Sequence, residues 1–171
     1  MAVNISIVVG NPKAHSRTRQ VAEDAMRAIY GDAAEITVVE LADYASGLFD
    51  WGAADVAEMS KQVGASDVIV LATPTYKATY TGLLKAFLDR YGADQLLDTV
   101  AYLVMTGGDK THALAPDTGL RPLLVELGAS MPTHALYAVM DDSPLEPQIE
   151  AWAEGAKRSL AAAARAAAAV V

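Results

Sequence analysis

A chain of 171 residues, 53% of them hydrophobic and 20% charged, can bury a core and is too poor in charge to stay disordered. A net charge of −8 argues against general nucleic-acid binding, and the lack of cysteine excludes disulfides, iron–sulfur clusters and thiolate catalysis. One domain spanning residues 1–171, in a reducing cytoplasm, is the expectation. The opening Met1–Val9 has no basic region and meets Gly10, so it does not read as a signal peptide. The alanine-rich Ala161–Val171 is broken by Arg165 and falls short of the roughly 20 apolar residues of a membrane span.

Charge is unevenly spread. Glu40–Glu58, with Asp43, Asp50 and Asp55, and Asp141–Glu154, with Asp142, Glu146 and Glu150, hold acids and no base. Gly10–Arg19 reverses this, with Lys13, Arg17 and Arg19 and no acid. The basic island suits an anion; it also suits a helix that simply opens in solvent.

In chain order, Val3–Val9 is predicted as the first strand and Ser16–Ile29 as a helix, its apolar face formed by Val21, Ala22, Ala25, Met26 and Ile29. Glu35–Leu41 is the second strand, Asp43–Trp51 a connector, and Ala53–Val63 the second helix, with Gly64 at C′. Asp67–Thr73 reads as a buried strand stopped by Pro74, and Thr79–Tyr91 as the third helix, with Leu83, Leu84, Phe87 and Leu88 on one side. Thr99–Thr106 is the fourth strand, His112–Leu127 the fourth helix, Thr133–Val139 the fifth strand and Pro147–Ala169 the last helix. Alternating strands and helices with continuously apolar strands predict a three-layer α/β fold. Its core is a doubly wound, five-stranded parallel sheet of flavodoxin-like order 2-1-3-4-5, with ligands at the carboxyl ends of the strands.

Three loops at those ends carry unusual residues. The first, Gly10–Thr18, leads into a helix N-terminus, where Ser16, Arg17 and Thr18 suit a phosphate monoester. Ser16 also suits a plain N-cap. Neither a Walker loop nor a dinucleotide fingerprint is present. The second loop, Thr73–Gly82, offers Pro74, Thr75, Tyr76 and Lys77, and its rings suit either a flat ligand or, for Tyr80 above all, core or subunit packing. The third loop, Thr106-Gly107-Gly108-Asp109-Lys110, lets backbone approach a ligand closely. His15, His112 and His134 are dispersed and form no zinc-like spacing. His112 fits the edge of the site or an idle helix start, and His134 a core or edge position in the fifth strand. No acid–base dyad emerges, and no catalytic side chain is expected.

At these residues the chain resembles the NADPH-dependent FMN reductase family, most closely the reductases serving alkanesulfonate and methanesulfonate monooxygenases. The matching segments are Gly10-Asn11-Pro12 with Ser16-Arg17, then Ala72–Lys85, then Thr106-Gly107-Gly108 with His112, and Leu120–Leu124. The resemblance implies FMN as cofactor and NADPH or NADH as reductant, with hydride passing to the flavin and no catalytic duty for a side chain. It places the FMN phosphate on Gly10, Asn11, Ser16, Arg17 and Thr18, the flavin and ribityl chain along Pro74, Thr75, Tyr76 and Lys77, and the ring at Thr106, Gly107 and Gly108. It further implies a homodimer or homotetramer joined at the third helix, a flavin-dependent monooxygenase as partner, and no nucleic acid or membrane.

Two departures stand out: Asn11 replaces a serine, and Thr118 replaces a tyrosine whose insertion distorts the fourth helix of the sulfonate-linked enzymes. A threonine has no ring to compete for stacking, so longer FMN retention is expected. Besides a supplier of reduced FMN, an FMN-retaining quinone or azo-type reductase and a flavodoxin-type electron carrier stay open. The basic first loop disfavours the carrier.

Overall fold

The computed structural model describes residues 3–141 and 143–170. Met1 and Ala2 of the opening, Asp142 of the acidic run and Val171 of the alanine-rich end lie outside the described residues. Five strands, β1 (Asn4–Val9), β2 (Glu35–Glu40), β3 (Val68–Pro74), β4 (Val100–Gly107) and β5 (Leu136–Val139), form one sheet in the order β2-β1-β3-β4-β5. All its pairings are parallel, with Ile5 opposite both Ile36 and Val68, and Pro74 opposite Thr106. Pro74 therefore closes β3 from inside the strand: a last residue can lack an N–H without costing the ladder a bond.

The helices are α1 (Arg17–Tyr30), α2 (Ala54–Gly64), α3 (Gly82–Leu88), α4 (Arg121–Glu126) and α5 (Leu145–Ala167). One layer packs Val21, Ala22, Ala25 and Met26 of α1 and Ile149 of α5 on Ile5, Ile7 and Val70. The other packs Met59, Val63, Leu84, Phe87 and Leu124 on Val8, Leu71 and Leu103. Strands buried on both faces must be continuously apolar, as these are. Among the described residues no helix is long and apolar enough to cross a membrane.

The elements depart from expectation where local hydrogen bonding overrides periodicity. Gly64 ends α2 rather than following it, with the Tyr91 ring 3.3 Å from where a Cβ would stand. The third helix begins only at Gly82, because Thr81 caps it by accepting from the Leu84 N–H. Leu84, Phe87 and Leu88 are buried within the chain, and the Tyr91 hydroxyl donates to the Ser60 carbonyl, while Leu83 and Tyr80 are half-buried. The fifth strand starts late because Arg121 takes the Met131 and Thr133 carbonyls just before it. His134 is consequently exposed and outside the strand, its carbonyl accepting from Trp152 Nε1.

The segment expected as one helix from His112 is broken. Lys110–His112 is a 3₁₀ turn and Pro116–Leu120 a π-turn in which the Arg121 N–H reaches back to the Pro116 carbonyl. Pro122 has no N–H for the Thr118 carbonyl and crowds it, which favours the wider turn. Gly119 lets that turn approach Thr79, whose Oγ1 lies 3.1 Å from the Cβ an alanine would add. The distortion anticipated only with an inserted tyrosine is thus present with the exposed Thr118, whose Oγ1 donates to the Leu114 carbonyl at 3.0 Å.

Candidate active site

β1, β3 and β4 are neighbours, so their three loops meet at one end of the sheet. Between them lies a cleft of about 440 Å³ lined by Asn11, Lys13, His15, Ser16, Arg17, Thr18, Pro74, Thr75, Thr106, Gly107, Gly108 and Met140. Among the described residues no acid lines it. The geometry brings together nine of the expected site residues: Asn11, Ser16, Arg17, Thr18, Pro74, Thr75, Thr106, Gly107 and Gly108.

One half of the cleft suits an anion. Ser16 is the N-cap of α1, its Oγ accepting from the Arg19 N–H at 3.3 Å. Capping occupies an acceptor lone pair and leaves the hydroxyl hydrogen to donate, so the two readings of Ser16 are compatible. The Ser16 carbonyl takes the Gln20 N–H, leaving the N–H groups of Arg17 and Thr18 without intrahelical partners at the positive end of a 14-residue helix. Lys13 and Arg17 form no ion pair among the described residues. Arg19 differs: Glu23 and Glu40 both hold it, and hydrogen bonding to Glu23 raises its pKa further above the ordinary guanidinium value. Of the three bases in this island, Arg19 is therefore already engaged.

The other half is a narrow wall. Thr18 is buried, its Oγ1 2.8 Å from that of Thr106 and 3.3 Å from the Asn11 amide that donates to it. It forms the floor. The Thr75 N–H donates to the Thr106 carbonyl at 2.7 Å, closing the floor between β3 and β4. Gly107 is required by a side chain the sequence did not flag: a Cβ there would lie 1.8 Å from the Tyr137 hydroxyl, itself 3.4 Å from Thr75 Oγ1. Gly108 has open space instead, which leaves its backbone accessible. Beside this loop, Thr111 hydrogen bonds hold the Asp109 carboxyl below the usual range.

Three expected site residues lie outside the cleft. Gly10 is a packing glycine: its N–H donates to the Ala72 carbonyl, its carbonyl accepts from Thr81 Oγ1 at 2.6 Å, and α3 covers its α-carbon. Tyr76 and Lys77 project from a two-residue hairpin in which the Tyr76 and Thr79 backbones bond each other at 2.8 and 3.2 Å. Lys77 and Ala78 both take positive φ, 50° and 67°, a pairing that normally calls for Asn-Gly. Without those residues the hairpin was invisible in the sequence. Ala78→Gly should stabilise the protein by about 0.5–1 kcal/mol, strain relief exceeding the added unfolded-state entropy. A lower melting temperature for this variant would contradict the assignment. Lys13, His15 and Met140 join the cleft without having been singled out for the flavin.

A parallel sheet in the order β2-β1-β3-β4-β5 is flavodoxin-like, a fold whose ligands sit at the carboxyl ends of the strands, where this cleft lies. The model of the NADPH-dependent FMN reductase family matches residues 3–142. The FMN reductase (NADPH) of Escherichia coli (strain K12) is 32% identical over 146 residues, 82% of this chain and 74% of that one. The NADH-dependent FMN reductase SfnF of Pseudomonas putida is 28% identical over 146 residues, 81% and 78% of the two chains. The crystal structure of apo NADH:FMN oxidoreductase (EMOB) superposes with a TM-score of 0.80 at 28% identity, covering 92% of this chain and 90% of that one. The chain belongs to the NADPH-dependent FMN reductase family and is an oxidoreductase whose cofactors are FMN and a nicotinamide dinucleotide.

Proposed function

We propose that this enzyme uses NADPH or NADH to reduce FMN and releases the product to a flavin-dependent monooxygenase. The observation that carries the reading is the meeting of Lys13, Arg17 and the α1 N-terminus with the Thr106–Gly108 wall in one cleft that no acid lines among the described residues. Ser16, Arg17 and the free N–H groups of α1 would hold the phosphate, with Asn11 and Thr18 beneath it. Pro74, Thr75 and the Thr106–Gly108 backbone would border the ribityl chain and ring. When bound, FMN supplies the hydride acceptor; the chain supplies position and electrostatics. Release is favoured by exposure, since Lys13, His15, Arg17 and Gly108 all face solvent.

Retention with direct quinone or azo reduction is the competing reading. Its motivation is the missing ring at Thr118; the π-turn at Pro116–Leu120 shows that the helix distortion is present without one. Desalted protein should oxidise NADPH steadily in air when catalytic FMN is added, and only slowly with menadione as sole acceptor. Fast, FMN-independent menadione reduction would favour the retaining enzyme.

Assembly into a dimer or tetramer belongs to the same proposal. Its support lies in the exposed Phe49, Trp51, Leu114 and Val125 and the half-buried Tyr80 and Leu83 at α3. Light scattering at micromolar concentration should give a multiple of the chain mass, and the mass of one chain would contradict it.

A further inference from the structure

Glu40, the last residue of β2, is not accounted for by the cleft lining. It is only 6% exposed, and its Oε1 accepts from the His15 N–H at 3.0 Å and from Arg19 Nη1 at 3.3 Å. Its Oε2 is buried and meets no donor among the described residues. A buried carboxylate with an unpartnered oxygen is a poor device for stability, where an apolar side chain of similar size does as well or better. An apolar side chain cannot, however, accept the His15 N–H.

His15 is where that bond matters. Its φ of 52° lies in the left-handed region, which a histidine enters at a cost. This one residue turns the loop so that Ser16 can cap α1 and Arg17 can line the cleft. Arg19 adds a second tie, reaching Glu40, Glu23 and, at 3.1 Å, His15 Nδ1. The carboxylate at the end of β2 thus fixes the turn from which the anion-binding groups project.

We propose that Glu40 is a positioning residue for the phosphate loop and sets the preference for phosphorylated over unphosphorylated flavin. The inference rests on the reading of Ser16, Arg17 and the α1 N-terminus as the phosphate site. Its specific content is that the acceptor oxygen, not the negative charge, does the positioning.

The test is equilibrium titration of FMN and riboflavin by flavin fluorescence in wild type, Glu40→Gln and Glu40→Leu, with hydrogen exchange at the His15 amide. Glu40→Gln keeps an acceptor and should leave the FMN-to-riboflavin affinity ratio within about threefold of wild type. Glu40→Leu should lower that ratio by about tenfold while riboflavin affinity stays within about twofold, and should expose the His15 amide to faster exchange. Glu40→Met is the second apolar variant should the leucine protein not fold. An apolar variant with wild-type discrimination, a proportional loss of both flavins, or a glutamine variant as impaired as the leucine one would overturn the proposal. A wild type that binds both flavins equally would overturn the phosphate reading itself, and is seen before any variant is made.

Discussion

FMN is expected to bind at least tenfold more tightly than riboflavin, and Arg17→Ala to remove most of that difference. A charge-assisted phosphate contact contributes roughly 1.5–3 kcal/mol, which corresponds to about tenfold or more in affinity. The expected contributors are Arg17 and Lys13, which form no ion pair among the described residues, the Ser16 hydroxyl hydrogen and two N–H groups at the start of α1. Arg19→Ala should have a different signature, loosening the loop held by Glu40 rather than deleting a phosphate ligand. Flavin fluorescence titrations at fixed ionic strength measure both effects. Equal affinities of the wild type for the two flavins would remove the phosphate from this loop.

The largest effect on stability is expected at Gly10. An alanine there would set its Cβ 2.7 Å from Leu84 Cβ and 3.2 Å from Thr81 Oγ1. The first of these is anchored directly to the α3 backbone, so relief requires the helix to move away from the ends of β1 and β3. That movement would break the 2.6 Å bond from Thr81 Oγ1 to the Gly10 carbonyl. Overpacking of this kind costs about 1–3 kcal/mol, or a melting temperature lower by roughly 3–10 °C for a chain of this size. Gly82→Ala is the paired control. It meets nothing within 4 Å at the start of the same helix and should be neutral or slightly stabilising. A Gly10→Ala protein melting within a degree of wild type would show that α3 does not press on the loop.

The sheet was legible because its three central strands are buried on both faces and so appear as largely apolar runs, Ile5–Val9, Val68–Ala72 and Ala101–Met105, whereas the edge strand β2 is half exposed. The order of the strands brought the three unusual loops together, and nine of the twelve expected site residues line one cleft. What periodicity could not reveal were features made by single hydrogen bonds or by a missing donor. Pro122 widens the turn at Pro116–Leu120 by withholding an N–H. Thr81 delays α3 by capping it. The hairpin at Tyr76–Thr79 bends through two residues that lack the usual turn chemistry, and Tyr76 and Lys77 are not among the residues lining the cleft.

Gly10 shows a different limit. Its place in the loop was read from the sequence, but its packing against Leu84 and Thr81 was not, because α3 lies far along the chain. Glu40 was visible in the sequence only as the first member of an acidic run. Its burial depends on β2 ending beside the turn at His15, a juxtaposition that the sheet register creates and composition does not.

The most direct test of the central claim is an anaerobic reaction of desalted protein with excess FMN and limiting NADPH, followed through the absorbance of both. Flavin should bleach in step with nicotinamide oxidation, one FMN reduced per NADPH, and the reduced flavin should then pass through an ultrafiltration membrane that retains the protein. Nicotinamide oxidation without loss of flavin colour, or no oxidation with FMN present, would contradict that claim.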